Sequence, residues 1–281
     1  MSTAKIKKPP LFDRLFKPEH IVLENGHSVD RPRSRMPLIL GSLLVVIIIS
    51  LRMTGFDFSV IINRARELTV ILGQIFQPNF SYFPNIVRPL IETIKMSILG
   101  TVIGCLIGLP LAILASSNIN HNKPSLLAIR FILSIMRSVP TLIYASVLAL
   151  VFGLGTFAGT LAITIFTVGI VAKMLYESIE TIDMKPYEAM ISFGATTLQA
   201  FWTACMPQIL PTYVDDCLYC FELNVRASSI LGYVGAGGLG VLIRERTGLR
   251  AYNDLGMVLL ILFLVVLVID FVNDYIRSKI S

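Results

Sequence analysis

Three sets of residues in this 281-residue chain have types and spacings that chemistry could use. Gly235, Gly237 and Gly240 stand at GxGxxG spacing, which cradles a dinucleotide pyrophosphate when it follows a β-strand and opens a helix. Cys217 and Cys220 form a CxxC, half of a zinc or redox centre. Glu92, Lys95, Arg130, Arg137, Lys173, Asp215, Asp216, Glu222 and Arg226 interrupt runs that are otherwise apolar. The first two sets lack the context their chemistry needs. An apolar run precedes the glycines where a strand should stand, so close-packed or irregular backbone at the outer end of a span is the expectation there. His20, His27 and His121 lie far from the CxxC and no second CxxC completes a site, so no metal ligand is assigned. No catalytic residue is assigned either.

The third set carries the information. A charge bared to lipid at the centre of a span costs roughly 2.5–3.5 kcal/mol on insertion scales, so such residues should face the bundle, a partner or water. Glu222 and Arg226 are spaced i, i+4 and would pair along one helix face. An internal ion pair and a place beside a pathway both remain open for them.

The elements that must position these charges follow from composition. The chain is 54% hydrophobic and only 15% charged, where a soluble domain carries roughly 25%. That balance points to an all-α integral membrane protein of one domain. Six apolar stretches emerge, at about 36–53, 88–116, 126–152, 156–176, 208–232 and 254–276. The first is expected to be an uncleaved anchor, because its basic leader is long and no small-x-small cleavage pattern follows Leu51.

An even number of spans puts both termini on one side. Lys5, Lys7, Lys8, Arg14, Lys17, Arg31, Arg33 and Arg35 precede the first span, and the positive-inside rule then makes the termini cytoplasmic. Such a tail suits anionic lipid better than nucleic acid. Between the first two spans, Phe56 to Phe76 reads as a helix along the outer interface, with Pro78, Pro84 and Pro89 breaking the chain before the second span. Cys105, Cys205, Cys217 and Cys220 lie in or beside apolar runs and are expected to pack as small hydrophobes.

One cytoplasmic stretch, KPYEAMISFGATTLQAFWTACMP from Lys185 to Pro207, departs from the spanning pattern. Pro186 suits the first helical position and Glu188 the first turn, where the helix dipole favours an anion. Tyr187, Met190 and Ile191 share a face, and Gly194 tolerates the positive φ that stops a helix. Thr196 and Gln199 then have capping-box spacing for a second helix carrying Leu198, Phe201 and Trp202 on one side until Pro207. A DNA-binding helix-turn-helix is excluded in effect, because Asp183 to Pro207 holds two acids and one base and has nothing to offer phosphates.

Glu188, Ala189, Gly194 and Pro207 resemble the EAA motif of bacterial ABC importer permeases, Glu-Ala-Ala, three residues, Gly, nine residues, Ile-x-Leu-Pro. Met190, Ala204 and Met206 replace the second Ala, the Ile and the Leu, and all remain small or apolar. FELNVRASSILGYVGAGGLG, Phe221 to Gly240, and SVPTLIYA, Ser138 to Ala145, are similar to phosphonate-type permeases.

The resemblance implies a MetI-like permease fold of about six transmembrane helices with a cytoplasmic coupling helix. Residues 1–35 would form a cytoplasmic basic tail, 36–87 an N-terminal anchor helix and interfacial segment, and 88–281 the permease core. It implies that Tyr187, Glu188, Ala189, Met190, Ile191 and Gly194 couple the chain to a separate ATPase, with Tyr187, Met190 and Ile191 as apolar anchors. No Walker A sequence occurs, so ATP and Mg would reside on that partner and no cofactor on this chain. The implied assembly holds two ABC ATPase subunits, a second permease copy, identical or sister, and an extracytoplasmic solute-binding protein, in the bacterial cytoplasmic membrane. The implied cargo is a phosphonate or related phosphorus oxyanion, with another small solute such as an amino acid as alternative, and a passive membrane channel as the alternative of a different class. An anion needs cationic or amide donors along its way, and Arg137, Asn224 and Arg226 could supply them.

Overall fold

The computed structural model describes Glu19–Val22, Ser28–Arg31 and residues 36–280. It divides into two compact units, 1–68 and 69–281.

In the first unit, β1 (Glu19–Val22) pairs antiparallel with β2 (Ser28–Arg31), Glu19 opposite Arg31. Lys5, Lys7, Lys8, Arg14, Lys17, Arg33 and Arg35, most of the basic tail, lie outside the described residues. α1 (Met36–Met53) is an 18-residue apolar helix in which no residue is buried, as a helix bathed in lipid requires. α2 (Phe58–Asn63) is capped by Asp57, whose side chain accepts from the Ser59 amide. Arg64 ends it, and α3 (Ala65–Ile75) follows across the boundary between the units, so the expected interfacial helix comes in two pieces.

The second unit is a helical bundle. α4 (Phe83–Ala115) starts earlier than the prolines suggested. Pro84 sits in its first turn, where a missing N–H costs nothing, and Pro89 is accommodated inside, its carbonyl accepting from Thr93 Oγ1 at 2.9 Å. α5 (Lys123–Ser138) and α6 (Thr141–Phe152) divide the expected third span at an 88° bend. Pro140 supplies the reason, since it lacks an N–H and holds Val139 extended. α7 (Thr156–Ile179) is the most buried span. After it come α8 (Lys185–Ser192), α9 (Thr197–Ala200) and a π-turn, Phe201–Cys205, that runs straight into α10 (Met206–Leu231). Pro207 therefore stands in the first turn of a span and does not end a helix.

A 49° break separates α10 from α11 (Leu239–Gly248). The Gly235–Gly238 run forms this break as irregular backbone, Gly240 already lying in α11, and Thr93 Oγ1 accepts from Leu239 N at 2.8 Å to cap the helix beyond it. α12 (Tyr252–Ile280) closes the bundle. Among the described residues, four helices are long and apolar enough to cross a membrane, up to six spans if each bent pair counts as one. The six apolar stretches map onto these.

The centre of the bundle is the crossing of α4 and α7. Gly100 and Gly104, one turn apart, let the two backbones approach closely. A Cβ on Gly100 would lie 2.5 Å from Ile163 Cγ2, and one on Gly104 the same distance from Thr167 Cβ. We expect Gly104→Leu to destabilise the protein by about 1–3 kcal/mol, read as a lowered unfolding temperature in detergent. Gly73→Ala, within α3 where a Cβ meets nothing within 4 Å, should leave that temperature unlowered or slightly raised.

Candidate functional site

The elbow between α7 and α10 is built by local hydrogen bonding. Asp183 Oδ1 accepts from Lys185 N at 3.1 Å and starts α8, one residue before Pro186. The helix ends in a Schellman arrangement: Gly194, at φ +88°, donates to Ile191 O at 2.9 Å and Ala195 N donates to Met190 O at 3.1 Å. Thr196 and Gln199 then form a reciprocal capping box, each side chain accepting from the other's backbone N–H, at 3.4 and 3.0 Å. Gln208 Nε2 donates to Asp183 O at 3.1 Å and ties the far end of the elbow to its start.

Packing sorts the apolar side chains into a root and a foot. Tyr187 is only 8% exposed and sits in the inner core with Ala115, Leu133, Leu175, Ile179 and Phe201. Burial pushes its phenol above the ordinary tyrosine range. Met190 packs half-buried against the same cluster. Glu188, Ala189, Ile191 and Gly194 are exposed, and so is Phe193 at 88%. Leu198 and Trp202 face outward while Phe201 is fully buried, so these three do not share a face as the periodicity suggested. The π-turn beginning at Phe201 shifts the register. Phe193 carried no sequence signal except its place beside Gly194.

Beneath the elbow lies a polar clamp that the sequence did not disclose. Arg130 of α5 donates from Nε to Ala115 O at 2.9 Å, in the last turn of α4. Its guanidinium pairs with Glu180, which caps the end of α7, and lies 4.6 Å from the centroid of the Tyr176 ring. Glu180 also accepts from the backbone N–H and hydroxyl of Ser117 in the α4–α5 turn. Burial opposes ionisation of Glu180, but the hydrogen bonds from Ser117 and the charge of Arg130 outweigh it and hold the carboxyl below the ordinary 4.5. Arg130 and Glu180 are 50 residues apart, so no helical spacing betrays the pair.

Among the residues expected to meet an anion, Asn224 is 1% exposed. It donates to Thr101 Oγ1 and Thr167 Oγ1, both at 2.8 Å, joining α10 to the α4–α7 crossing. Arg226 pairs with Glu222 of its own helix and approaches Asp270 of α12 at 3.5 Å. Asp215 and Arg277 pair between the same two helices. Arg137 stands apart from both, near the α5–α6 bend. Its Nε is buried without a hydrogen-bond partner, and its nearest polar contact is Ser134 Oγ at 3.4 Å. Gly169 makes room for it, since a Cβ there would come within 2.9 Å of Arg137 Cγ.

Cys217 and Cys220 pack beside Cys105 and Val171. All four cysteines are free, and among the described residues no group of three His, Cys, Asp or Glu is placed to hold a metal. At the opposite end of α4 from the elbow, a cleft of about 760 Å³ is lined by Gln74, Gln77, Asn79, Arg250, Asn253 and Asp254 among others. Its walls are tied by Asn79 Nδ2 to Asp254 Oδ1 and Asn253 Nδ2 to Gln77 O, both 2.8 Å. Arg250, at φ +56°, is the one non-glycine residue with positive φ among those described.

A bundle of bent and straight spans with a polar elbow on one end is the architecture of a multi-pass membrane protein. The family model for the binding-protein-dependent transport system inner membrane component matches residues 108–281, and the chain belongs to that family. It is 31% identical over 260 residues to a phosphite transport system permease protein of Stutzerimonas stutzeri, covering 92% of this chain and 94% of that protein. It is 33% identical over 210 residues to a phosphate-import permease of Mycolicibacterium smegmatis, covering 74% of this chain and 40% of that one. An inward-facing structure of the MetNI methionine ABC transporter matches the fold with a TM-score of 0.65 at 27% identity, covering 72% of this chain and 99% of that one. The chain is an ABC importer permease of MetI-like fold.

The Glu180 clamp makes stability depend on acid. Because the folded carboxyl titrates below 4.5, its contribution is complete above that value and is lost as pH falls through the lower folded one. Thermal unfolding in detergent should show wild type more stable than Glu180→Gln at neutral pH. The gap should narrow as the pH is taken below 4.5, and a gap independent of pH would contradict the assignment.

Proposed function

We propose that the chain imports phosphonate or a related phosphorus oxyanion across the bacterial cytoplasmic membrane, driven by separate ATPase subunits that grip the elbow. The observation that carries this reading is the elbow itself, rooted through Tyr187 and presenting an exposed apolar foot. A rigid foot of Ala189, Ile191 and Phe193 around Glu188 can fill a groove on a partner and pass on a push, which a floppy loop cannot. Tyr187 and Met190 serve as its root, and Gly194 keeps its turn compact.

Two ATPase subunits, a second permease copy and an extracytoplasmic binding protein complete the assembly in this reading. ATP and Mg belong to the ATPases. The elbow and both termini lie in the cytoplasm, and the polar cleft at the other end of α4, with Arg250 on its rim, suits the binding protein. Nucleotide can bias the two-state cycle only by binding one state better.

The phosphorus oxyanion is supported by the named relatives that transport phosphite and phosphate and by Arg137. Arg226 is already neutralised by Glu222 and Asp270, and Asn224 has its donors committed to Thr101 and Thr167. Among the described residues Arg137 makes no ion pair, and it can offer its guanidinium to a passing anion. Weak binding suffices there, because the binding protein can supply affinity.

Two measurements test the reading. Phe193→Ser should weaken co-purification with the ATPase subunit by about tenfold or more, as removal of a central apolar anchor does; undiminished recovery would remove the foot from that interface. In the assembled transporter, Arg137→Ala should reduce phosphonate uptake by about tenfold or more, the loss of one charged hydrogen bond to the anion. Unchanged uptake would take Arg137 off the path.

A further inference from the structure

We propose that Arg130 is the positioning residue that couples the elbow to the α5–α6 bend, so that movement of the foot reaches Arg137. This rests on the reading that the elbow is driven by ATP. Arg130 and Arg137 are seven residues apart, two turns along one face of α5, about 10 Å at the helical rise. At one end of that face, Arg130 is fastened to the α4 terminus through Ala115 O and to the α7 terminus through Glu180 and Tyr176. Tyr176 and Ile179 pack in the same core as Tyr187 and Met190, so the clamp and the elbow share one packed body.

At the other end of α5, Met136 O accepts from Tyr144 Oη at 3.1 Å, which links α5 to α6 across the bend. α6 in turn contributes Ala145 and Tyr144 to a second core, with Leu231 and Ala236 at the α10–α11 break. The bent pair thus joins the body that carries the elbow to the body that carries the glycine break. Apart from Arg130 and a long 3.4 Å contact of Ser125 with Asn120 in the α4–α5 turn, α5 meets the elbow body through apolar side chains, Ile129, Leu133 and Met136. Apolar contacts alone resist sliding weakly, whereas a guanidinium held by a carboxylate, a carbonyl and a ring has one register.

The test uses the complete transporter with its ATPase and binding protein in vesicles, measuring phosphonate uptake and ATP hydrolysis side by side. Arg130→Gln should lower uptake by about tenfold while hydrolysis stays within about twofold, a loss of coupling and not of assembly. Glu180→Gln should give the same uncoupling, and the two together no more than either alone, as expected of one shared contact. Arg130→Lys, which keeps the charge without the planar fork, should fall between and serves where the Gln variant does not assemble. Uptake and hydrolysis that fall in proportion, or that both stay at wild-type values, would overturn the proposal. Wild-type vesicles that hydrolyse ATP without importing phosphonate would instead strike at the assigned cargo, and a wild-type chain that recruits no ATPase would strike at the elbow reading.

Discussion

The closeness of α4 to α7 is the constraint from which the rest of the bundle follows. In lipid, apolar side chains gain little by exchanging lipid tails for one another, so helices associate through backbone approach and buried polar contacts. Gly100 and Gly104 provide the approach. Thr101 and Thr167, which the approach brings together, are then bridged by Asn224, and α10 is locked onto the pair. Ser97 and Ser228 meet at 3.4 Å a turn away and continue the same seam. With three helices fixed in this way, the spans that remain can bend without the core losing its shape.

The bends are where the chain departs from regular structure, and each has a local cause. Pro140 forces the α5–α6 angle, and the glycines from 232 to 238 open the α10–α11 break. Irregular backbone at membrane depth is tolerated only where protein or water satisfies it. Thr93 does so at the second break by accepting from Leu239 N while donating to Pro89 O. A single threonine thus supports a proline inside α4 and the start of α11.

Much of this was legible in the sequence, because it depends on local rules. The number and place of apolar runs, the glycine stop at Gly194 and the capping box at Thr196 and Gln199 are set within a few residues of each other and read correctly. What escaped is what depends on contacts across the fold. Whether Tyr187 points into the core or out to a partner cannot be read from an eight-residue helix whose root and foot are both apolar. The roles of Arg130 and Glu180 needed α5 and α7 to be placed side by side. Asn224 read as a donor for an anion because its threonine partners lie 57 and 123 residues away. The π-turn at Phe201 likewise has no composition that marks it.

The distribution of charge narrows where an anion can travel. On α10 and α12 the acids Asp215, Glu222 and Asp270 outnumber the bases Arg226 and Arg277 that they pair with. That side of the bundle carries net negative charge among these paired groups and would repel an anion, since like charges in a medium of low dielectric repel over several ångströms. Arg137 lies elsewhere, on α5, against Gly169 of α7 and near the bend, and among the described residues it forms no ion pair. In the proposed reading, a route past Arg137 would meet attraction where a route past Arg226 would meet repulsion. Arg137 shares a face of α5 with Arg130, so on the same reading the group that would favour an anion is also one that a moving foot would displace.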